Sequence, residues 1–201
     1  MIQLLLATNN THKVGEIAGL MARLQPSVSV GSAQWAGGMP QVDETAGTFI
    51  GNAQLKAQAL RMFAPPEAWV LADDSGLAVD ALDGAPGVYS SRYAGSDATD
   101  AENMAKLLEA LAGVPVNRRT ARFVCVLALI GPSGVEAQFE GTVEGTILEE
   151  PRGKLGFGYD PVFAPTGYDR SFAELGPDIK DQFSHRARAL EQLAAWIDER
   201  F

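Results

Sequence analysis

The chain has 201 residues, of which 46% are hydrophobic and 20% are charged. These values are ordinary for a folded globular protein and exclude the low hydrophobicity and high charge of a disordered chain. Sixteen Lys and Arg face twenty-five Asp and Glu, which gives a formal net charge of −9. The acidic surplus argues against binding DNA or RNA, because that needs cations to neutralise phosphates, but a small anionic ligand can bind where cations gather.

Short apolar segments predict a protein that does not enter a membrane. The stretch Ile2 to Ala7 lacks a basic leader and runs into polar residues, which favours a strand over a signal peptide. No stretch approaches the roughly 18 apolar residues that a membrane span needs. The single cysteine, Cys125, lies in an apolar run and is expected in the core. We therefore expect a cytoplasmic protein without membrane contact.

Strands and helices alternate in the first part of the chain. The stretch from Ile2 to Ala7, which is apolar except for Gln3, predicts a strand that is buried on both faces. Apolar residues at helical spacing follow, with Asn10 or Thr11 as N-cap and Pro26 as stop. The next predicted elements are a helix from about Thr48 to Phe63 and a short strand from Trp69 to Ala72.

The second part predicts a hairpin and two more helices. Residues 76–97 show no clear period and are expected to form a loop, after which a capping box, Thr99 to Glu102, opens a helix that ends at Gly113. The remaining predicted elements are an antiparallel hairpin of Arg122 to Ile130 with Val135 to Val143, a strand at Val162 to Ala164, and a last helix from Ser184. This pattern predicts one α/β domain over residues 1–201, with a mixed sheet and flanking helices.

The first candidate ligand site is the segment Thr8-Asn9-Asn10-Thr11-His12-Lys13, where a strand passes into a helix. Unpaired backbone N–H groups and the helix dipole favour an anion there. Lys13 opposes that dipole by ~0.3–1 kcal/mol unless an anion neutralises it. The alternative is an ordinary capped helix with Lys13 in solvent.

A second candidate is Asp73-Asp74-Ser75-Gly76, which follows an apolar strand. The carboxyl ends of strands carry the ligands in open α/β folds, and neighbouring side chains in an extended chain point to opposite faces. One of the two carboxylates is therefore expected to face a ligand, and it could hold Mg²⁺. The alternative is a polar turn.

Two further segments combine aromatic and basic residues. Glycines from Gly153 to Gly158 would allow a ligand close to the backbone, and Phe157 or Tyr159 could stack on a base, unless the segment is only a bend with core aromatics. Cations crowd the start of the last helix, a mismatch that a ligand or a carboxylate would relieve. With two His and one Cys in the chain, a zinc site is not expected.

The order of these motifs closely resembles the noncanonical purine nucleoside triphosphate pyrophosphatases, the inosine triphosphatase-like family. The resemblance spans roughly Leu4 to Leu193 and is carried by six blocks in order: Thr8-Asn9-x-x-x-Lys13; Glu44 ahead of Thr48-Phe49-x-x-Asn52-Ala53-x-x-Lys56-Ala57; Asp73-Asp74-Ser75-Gly76-Leu77; Gly84-Ala85-Pro86-Gly87-Val88-Tyr89-Ser90; Phe157-Gly158-Tyr159-Asp160-Pro161; and Ser184-His185-Arg186.

The resemblance implies an activity and a set of site residues. It implies a two-lobed fold around a central cleft, commonly a homodimer, that hydrolyses ITP, dITP and XTP to the monophosphate and pyrophosphate with Mg²⁺ and so cleanses the nucleotide pool. It implies Asp74 as the proton acceptor and Asp74 with Glu44 at the metal. Since Asp74 must be ionised at neutral pH for both tasks, we expect that its pKa need not be raised. The substrate-binding residues that the resemblance implies are Thr8, Asn9, Asn10, Thr11, His12, Lys13, Lys56, Ser75, Phe157, Gly158, Tyr159, Asp160, Lys180, His185 and Arg186.

One position departs from the family pattern, and two other functions stay open. Gly51 stands where bacterial relatives often carry an acid, which puts a secondary metal or water contact in doubt. One alternative is a pyrophosphatase of the septum-inhibitor type, which acts on modified pyrimidine or 7-methylguanine nucleotides. The other is a catalytically silent nucleotide sensor, against which Asp74 and Glu44 speak.

Overall fold

Six strands form one mixed sheet in the computed structural model, which describes residues 2–134 and 136–201. The strands are β1 (Ile2–Leu6), β2 (Val28–Ser32), β3 (Trp69–Val79), β4 (Thr120–Ile130), β5 (Glu136–Ile147) and β6 (Phe163–Pro165). Their order across the sheet is β2-β1-β3-β4-β5-β6. Strands β2 and β3 run parallel to β1, whereas β6 runs antiparallel to β5. The predicted mixed α/β fold is confirmed.

Six α-helices lie among the described residues, and the first three begin within one residue of their predicted starts. They are α1 (Thr11–Leu24), α2 (Phe49–Arg61), α3 (Asp100–Ala110), α4 (Phe172–Leu175), α5 (Pro177–Lys180) and α6 (His185–Asp198). Asn10 and Thr48 cap α1 and α2, and the capping box of Thr99 and Glu102 is formed at α3. Within the described residues, none of these helices combines the length and apolarity that a membrane span requires.

The chain divides into two compact units, in keeping with the two lobes that the resemblance implies. Unit 1 comprises Met1–Asp74, Cys125–Gly141 and Arg186–Phe201, and unit 2 comprises Ser75–Val124 and Thr142–His185. The assignment of a single domain stays a prediction.

Unit 1 buries the three leucines of β1, Leu4 to Leu6, on both faces of the sheet, which explains why they are consecutive. Leu4 and Leu6 pack into a cluster with apolar residues of α1 and α6, such as Ile17 and Leu190. Leu5 points to the opposite face, where it packs with small side chains of α2. Because side chains alternate along a strand, burial on both faces requires apolar side chains at consecutive positions, as at Leu4, Leu5 and Leu6.

Unit 2 has an aromatic core. The rings of Phe123 and Phe163 lie 4.7 Å apart, and those of Phe163 and Phe172 lie 5.4 Å apart. Leu107 of α3 packs in the same cluster. Offset aromatic pairs of this kind stabilise a core by about 0.5–1.5 kcal/mol beyond their buried area.

The largest error of the sequence prediction concerns β3, which was expected to end at Ala72. It continues to Val79, so Asp73-Asp74-Ser75-Gly76 lies inside a strand and forms no turn. The prediction of a loop over residues 76–97 is also wrong, because β3 is followed by 3₁₀ turns at Asp80–Leu82 and Gly87–Arg92. Two buried carboxylates interrupt the apolar pattern of β3, and the charged partners that keep them in a strand lie far away in sequence.

Smaller differences concern the ends of elements and short elements. Strand β2 and helices α4 and α5 were not predicted, because each has five or fewer residues and no clear period. The two strands of the predicted hairpin are neighbours in the sheet. The predicted start of its second strand, Val135, lies outside the described residues. The last helix begins at His185, one residue after the predicted start.

Candidate active site

The turn between β1 and α1 is closed by its own side chains. Oδ1 of Asn10 accepts hydrogen bonds from the backbone N–H groups of His12 at 3.0 Å and Lys13 at 3.1 Å. Oγ1 of Thr8 accepts one from the Asn10 N–H at 3.1 Å. The expectation of unpaired N–H groups is therefore wrong for these three residues. The side chains of Asn9, Thr11 and His12 belong to exposed residues at the start of α1.

Lys13 is neutralised by a buried carboxylate. Its Nζ lies 2.5 Å from Oδ1 of Asp73, whose side chain is 1% exposed. Nε of Arg186 donates to Oδ2 of the same carboxylate at 2.8 Å, and the thiol of Cys125 donates to that oxygen at 3.3 Å. Arg186 also pairs with Glu16 of α1. The protein itself thus supplies the anion that a cation in the first turn of α1 requires.

Asp74 forms a second charged group with residues of α2 and of the loop before it. Lys56 Nζ lies 2.7 Å from Asp74 Oδ1 and 3.2 Å from Glu44 Oε1, and it donates to the backbone carbonyl of Asp73 at 2.9 Å. Nδ2 of Asn52 donates to Asp74 Oδ2 at 3.4 Å. Neighbouring residues of β3 therefore hold different lysines, Asp73 that of α1 and Asp74 that of α2, as the alternation of side chains in a strand requires.

Burial and charge act differently on the two carboxylates. Burial works to raise the pKa of Asp73, but the charges of Arg186 and Lys13 outweigh it and hold that pKa well below its usual range. Burial also raises the pKa of Asp74, and the charge of Lys56 only partly offsets it. Burial works to lower the pKa of Lys56, but Asp74 and the carboxylates near it raise it. The expectation that Asp74 needs no raised pKa differs from the structure, and burial is the reason.

Asp74 and Glu44 form a donor set that fits a hard divalent cation. Both carboxylates contact the same Lys56 ammonium group and so converge on one region. Mg²⁺ commonly takes one or two protein carboxylates and completes its octahedron with water and substrate phosphates. Among the described residues there is no cluster of three or more His, Cys, Asp or Glu that could hold a metal by itself. The set therefore fits an ion that shares its ligands with a bound phosphate.

Unit 2 holds a buried ion pair of its own, beside an aromatic ring. Nζ of Lys180 lies 2.7 Å from Oδ2 of Asp160, and their side chains are 5% and 2% exposed. The same ammonium group lies 4.8 Å from the centre of the Phe157 ring. Asp160 also accepts the backbone N–H of Phe157 at 3.0 Å, so one carboxylate fixes both the lysine and the backbone of the glycine-rich segment.

The glycine-rich segment is held at two further points. Oδ2 of Asp100, the first residue of α3, accepts the backbone N–H of Gly158 at 2.7 Å. The hydroxyl of Tyr159 donates to the carbonyl of Ser90 at 2.9 Å. A Cβ at Gly156, which has φ of +78°, would overlap the Asp160 carboxylate. Glycine is therefore required at position 156, both by its backbone conformation and by the close approach.

His185 lies against an aromatic ring, and Ser75 follows Asp74 on β3. The His185 ring stacks on Phe123 with centroids 4.9 Å apart, and the residue is 4% exposed. Ser75 is half-buried in β3, directly after Asp74. Their expected substrate contacts stay predictions.

The structure brings the expected residues into two groups, one in each unit. In unit 1, Lys13 and Arg186 share Asp73, and Lys56 joins Asp74 to Glu44. In unit 2, Lys180, Asp160 and Phe157 form the second group. Arg186, expected with Lys180 at the nucleobase, is instead 1% exposed and engaged by carboxylates of unit 1. Its expected base contact stays a prediction.

Several members of these groups were not identified as site residues from the sequence. Asp73 was noted beside Asp74 without a role, and Asn52 lay in a quoted motif. Glu16 and Asp100 gave no signal apart from an acid in a first or second helical turn. Lys13 and Glu16 lie one turn apart on α1. The sequence could not reveal that Glu16 pairs with Arg186, because the two residues are 170 positions apart.

Gly51 fits tightly in the first turn of α2. Its N–H donates to the capping oxygen of Thr48 at 3.2 Å, and a Cβ at this position would overlap the side chain of Ala46. The next residue, Asn52, accepts the Ala46 N–H at 3.1 Å. The departure from the family pattern at Gly51 is thus accompanied by a close approach of the preceding loop, which leaves no room there for an acidic side chain.

The fold and these groups define an α/β protein with a buried charged site built on one strand and two helix starts. The sequence profile of the Ham1 family matches residues 4–196, and the chain belongs to that family. The resemblance found in the sequence is thereby confirmed.

Similar proteins cover almost the whole chain. A protein of Opitutus terrae named dITP/XTP pyrophosphatase is 53% identical over 199 residues, which cover 97% of this chain and 98% of that protein. One of the same name from Geobacillus kaustophilus is 50% identical and covers 96% of this chain and 93% of that protein. The solved structure of a HAM1 protein from Coxiella burnetii has a TM-score of 0.87 at 42% identity, with 99% and 100% of the two chains covered.

Proposed function

We propose that this protein is a nucleoside triphosphate pyrophosphatase that converts dITP, XTP and ITP into the monophosphate and pyrophosphate. Two of its relatives with half or more identical residues carry the name dITP/XTP pyrophosphatase. The observation that carries the proposal is the pairing of adjacent carboxylates, Asp73 and Asp74, with two different lysines, Lys13 and Lys56. Phosphoryl transfer is catalysed mainly by positioning the reactants and by stabilising charge. A carboxylate can accept a proton, and cations beside it can stabilise the charge of the phosphates.

The lysines are assigned to the phosphates. Lys13 presents its ammonium group from the first turn of α1, where the partial positive charge of the helix adds to its own, and Lys56 presents one from the middle of α2. The backbone and side chains of Thr8, Asn9, Asn10, Thr11 and His12 are assigned to the same phosphates. Asp74 and Glu44 would hold Mg²⁺, which would supply positive charge to the triphosphate.

Asp74 is assigned the proton transfer. It orients a water molecule and accepts its proton as the water oxygen forms a bond to the α-phosphorus. The bond from that phosphorus to the bridging oxygen breaks, and pyrophosphate leaves with the electron pair. Asp74 must be ionised to do this, and the charge of Lys56 beside it opposes the effect of burial on its pKa.

The residues of unit 2 are assigned to the purine. Phe157 offers a ring face for stacking, and Gly158, Tyr159, Asp160, Lys180 and His185 complete the group, with Ser75 touching the substrate; Arg186 stays a predicted base contact. Lys180 can donate to the 6-oxo group of hypoxanthine or xanthine, and adenine offers a 6-amino donor in its place. A buried donor left unpaired costs about 1–3 kcal/mol, which disfavours adenine nucleotides.

We also propose a cytoplasmic homodimer that binds neither nucleic acid nor membranes. The acidic net charge of −9 supports the first exclusion, because phosphate backbones repel such a surface. Light scattering at several protein concentrations measures the oligomeric state, and a monomer at all of them would refute the dimer.

The activity is tested by product analysis. The protein is mixed with Mg²⁺ and separately with dITP, XTP, ITP, ATP, GTP and a 7-methylguanosine triphosphate, and pyrophosphate and orthophosphate are measured. We expect pyrophosphate from the first three, and none without Mg²⁺. Orthophosphate as first product would refute attack at the α-phosphorus. Turnover of the methylated nucleotide alone would favour the septum-inhibitor type, and binding without turnover would favour a sensor.

A further inference from the structure

Asp73 is the buried charge that the proposed chemistry leaves without a task. It is 2% exposed, it is not the proton acceptor, and its two oxygens are engaged by different elements of unit 1. Oδ1 contacts Lys13 of α1, and Oδ2 contacts Arg186 of α6 and the Cys125 thiol of β4. A charge at this depth is costly unless every contact is made, so its geometry is tightly defined.

Arg186 joins the Asp73 carboxylate to helix α1. The guanidinium spans the Asp73 carboxylate and Glu16, which lies one turn after Lys13 on α1. Lys13 and Glu16 are therefore both anchored, through Asp73 and Arg186, to the same buried point. The side chain of Lys13 keeps 15% exposure, whereas that of Asp73 is 1% exposed.

We propose that Asp73 is a positioning residue that fixes the ammonium group of Lys13 for the transition state, with Arg186 holding Asp73 in place. The proposal rests on the proposed function, because it takes a phosphate to be the ligand of Lys13. In this role Arg186 acts on Lys13 through Asp73, in addition to its predicted contact with the nucleobase. The negative charge of Asp73 then weakens the binding of phosphate in the ground state, whereas its contact with Lys13 raises the rate by holding the ammonium group in place.

These opposite effects follow from charge and geometry. Asp73→Asn removes a negative charge 2.5 Å from the lysine, so electrostatics alone predicts equal or tighter binding of an anion. The same change lets the flexible lysine leave its place, and a displacement of about 1 Å can lower a rate by ~10²-fold. We therefore expect kcat for dITP to fall roughly 10- to 100-fold while KM stays equal or falls.

A double-mutant cycle separates positioning from loss of structure. The variants are Asp73→Asn, Lys13→Ala and both together, with Asp80→Asn as control, because Asp80 also pairs with an arginine but in unit 2 and at the surface. If Asp73 acts through Lys13, its effect on kcat vanishes in the Lys13→Ala background. An equal fall in both backgrounds, or a raised KM with unchanged kcat, would overturn the proposal.

A second variant covers the case in which Asp73→Asn does not fold. Arg186→Lys keeps a cation beside Asp73 but cannot span Asp73 and Glu16 at once. We expect a smaller fall of kcat than for Asp73→Asn, again absent in the Lys13→Ala background. A fall of kcat that persists in the Lys13→Ala background would overturn the part of Arg186 in the proposal.

Binding of inorganic tripolyphosphate in the presence of Mg²⁺ tests the same inference without turnover. Calorimetry should show equal or tighter binding by Asp73→Asn than by the unaltered protein, and no such gain when Lys13 is Ala. This result in a protein that releases no pyrophosphate from dITP would refute the proposed function and keep the positioning role. If the protein releases pyrophosphate from dITP but the effects of Asp73→Asn and Lys13→Ala on kcat are additive, the proposed function is kept and the positioning role is refuted. Absence of tripolyphosphate binding would overturn the positioning role.

Discussion

The charged groups of unit 1 and unit 2 are built on opposite plans. In unit 1 the cations Lys13, Lys56 and Arg186 face four carboxylates, those of Glu16, Glu44, Asp73 and Asp74. In unit 2 one pair, Lys180 with Asp160, is enclosed by aromatic rings.

The difference indicates how each group can recognise a ligand. An excess of carboxylates in unit 1 repels a bare polyphosphate, so that group favours a phosphate that arrives with a divalent cation. In the group of unit 2, the carboxylate of Asp160 balances the charge of Lys180, whose ammonium group also lies over two aromatic rings. This group is suited to reading hydrogen-bond donors and acceptors on a flat ring. We therefore expect changes in unit 1 to alter rates for every base and changes in unit 2 to alter the choice of base.

The largest effect is expected at Asp74. Asp74→Asn keeps the shape and the contact with Asn52 but removes the proton acceptor, so kcat should fall by ~10²–10⁴-fold for dITP and XTP alike. Pyrophosphate release measures kcat, and binding of dITP to the variant should be largely retained. Turnover at the original rate would exclude Asp74 from proton transfer.

A selective effect is expected at Lys180. Lys180→Ala removes the donor for the 6-oxo group and leaves Asp160 buried without its cation, so the preference for ITP over ATP should fall by ~10-fold or more. The ratio of kcat/KM for the two nucleotides measures it. An equal loss for both would place Lys180 with the phosphates and break the comparison between the units.

Two glycines in helices allow the effect of local crowding on stability to be distinguished from the effect of helix propensity. Gly51→Ala in α2 should lower the free energy of unfolding by about 1–3 kcal/mol, because the new Cβ meets the side chain of Ala46. Gly19→Ala in α1 is the matched control, since no atom lies within 4 Å of its Cβ position, and it should stabilise by about 0.5–1 kcal/mol. Denaturant titration measures both.

The effect of Gly51→Ala on turnover bears on the same comparison. The crowded loop leads to Asn52 and from there to Asp74, so kcat should fall equally for all bases. A change in base preference would show that unit 1 takes part in choosing the purine.

The smallest effect is expected at Asp100. Asp100→Ala frees the N–H of Gly158 and should raise KM for dITP a few-fold, whereas Asp100→Asn keeps an acceptor oxygen and should change it less. Steady-state kinetics of the two variants decides between the hydrogen bond and a general charge effect. An equal rise of KM in both variants would show that the hydrogen bond from Gly158 to Asp100 does not contribute to the binding of dITP.

Local signals predicted much of the fold and of the list of candidate residues. The N-cap of Asn10 and the capping box at Thr99 use contacts within three residues, so sequence spacing reveals them. The three consecutive leucines of β1, Leu4 to Leu6, likewise indicate burial on both faces. These features depend only on neighbours along the chain.

Contacts between distant residues could not be predicted in this way. Asp73 meets Lys13 over 60 residues and Arg186 over 113, and these partners are what allow β3 to continue through two buried carboxylates. Without them, two adjacent acids before a glycine indicate a turn, which is why the end of β3 was predicted seven residues too early. The raised pKa of Asp74 has the same origin, since burial depends on the packing of whole elements.

The thiol of Cys125 gives unit 1 an intrinsic reporter. Burial raises its pKa well above the ordinary value, and Asp73 adds to the effect, so the reactive thiolate is suppressed in the folded chain. Since the chain has one cysteine, alkylation by a maleimide counts openings of the β4 region and nothing else. Any ligand that tightens the surroundings of Asp73 will lengthen the labelling time, which makes occupancy of the site visible without a chromogenic substrate.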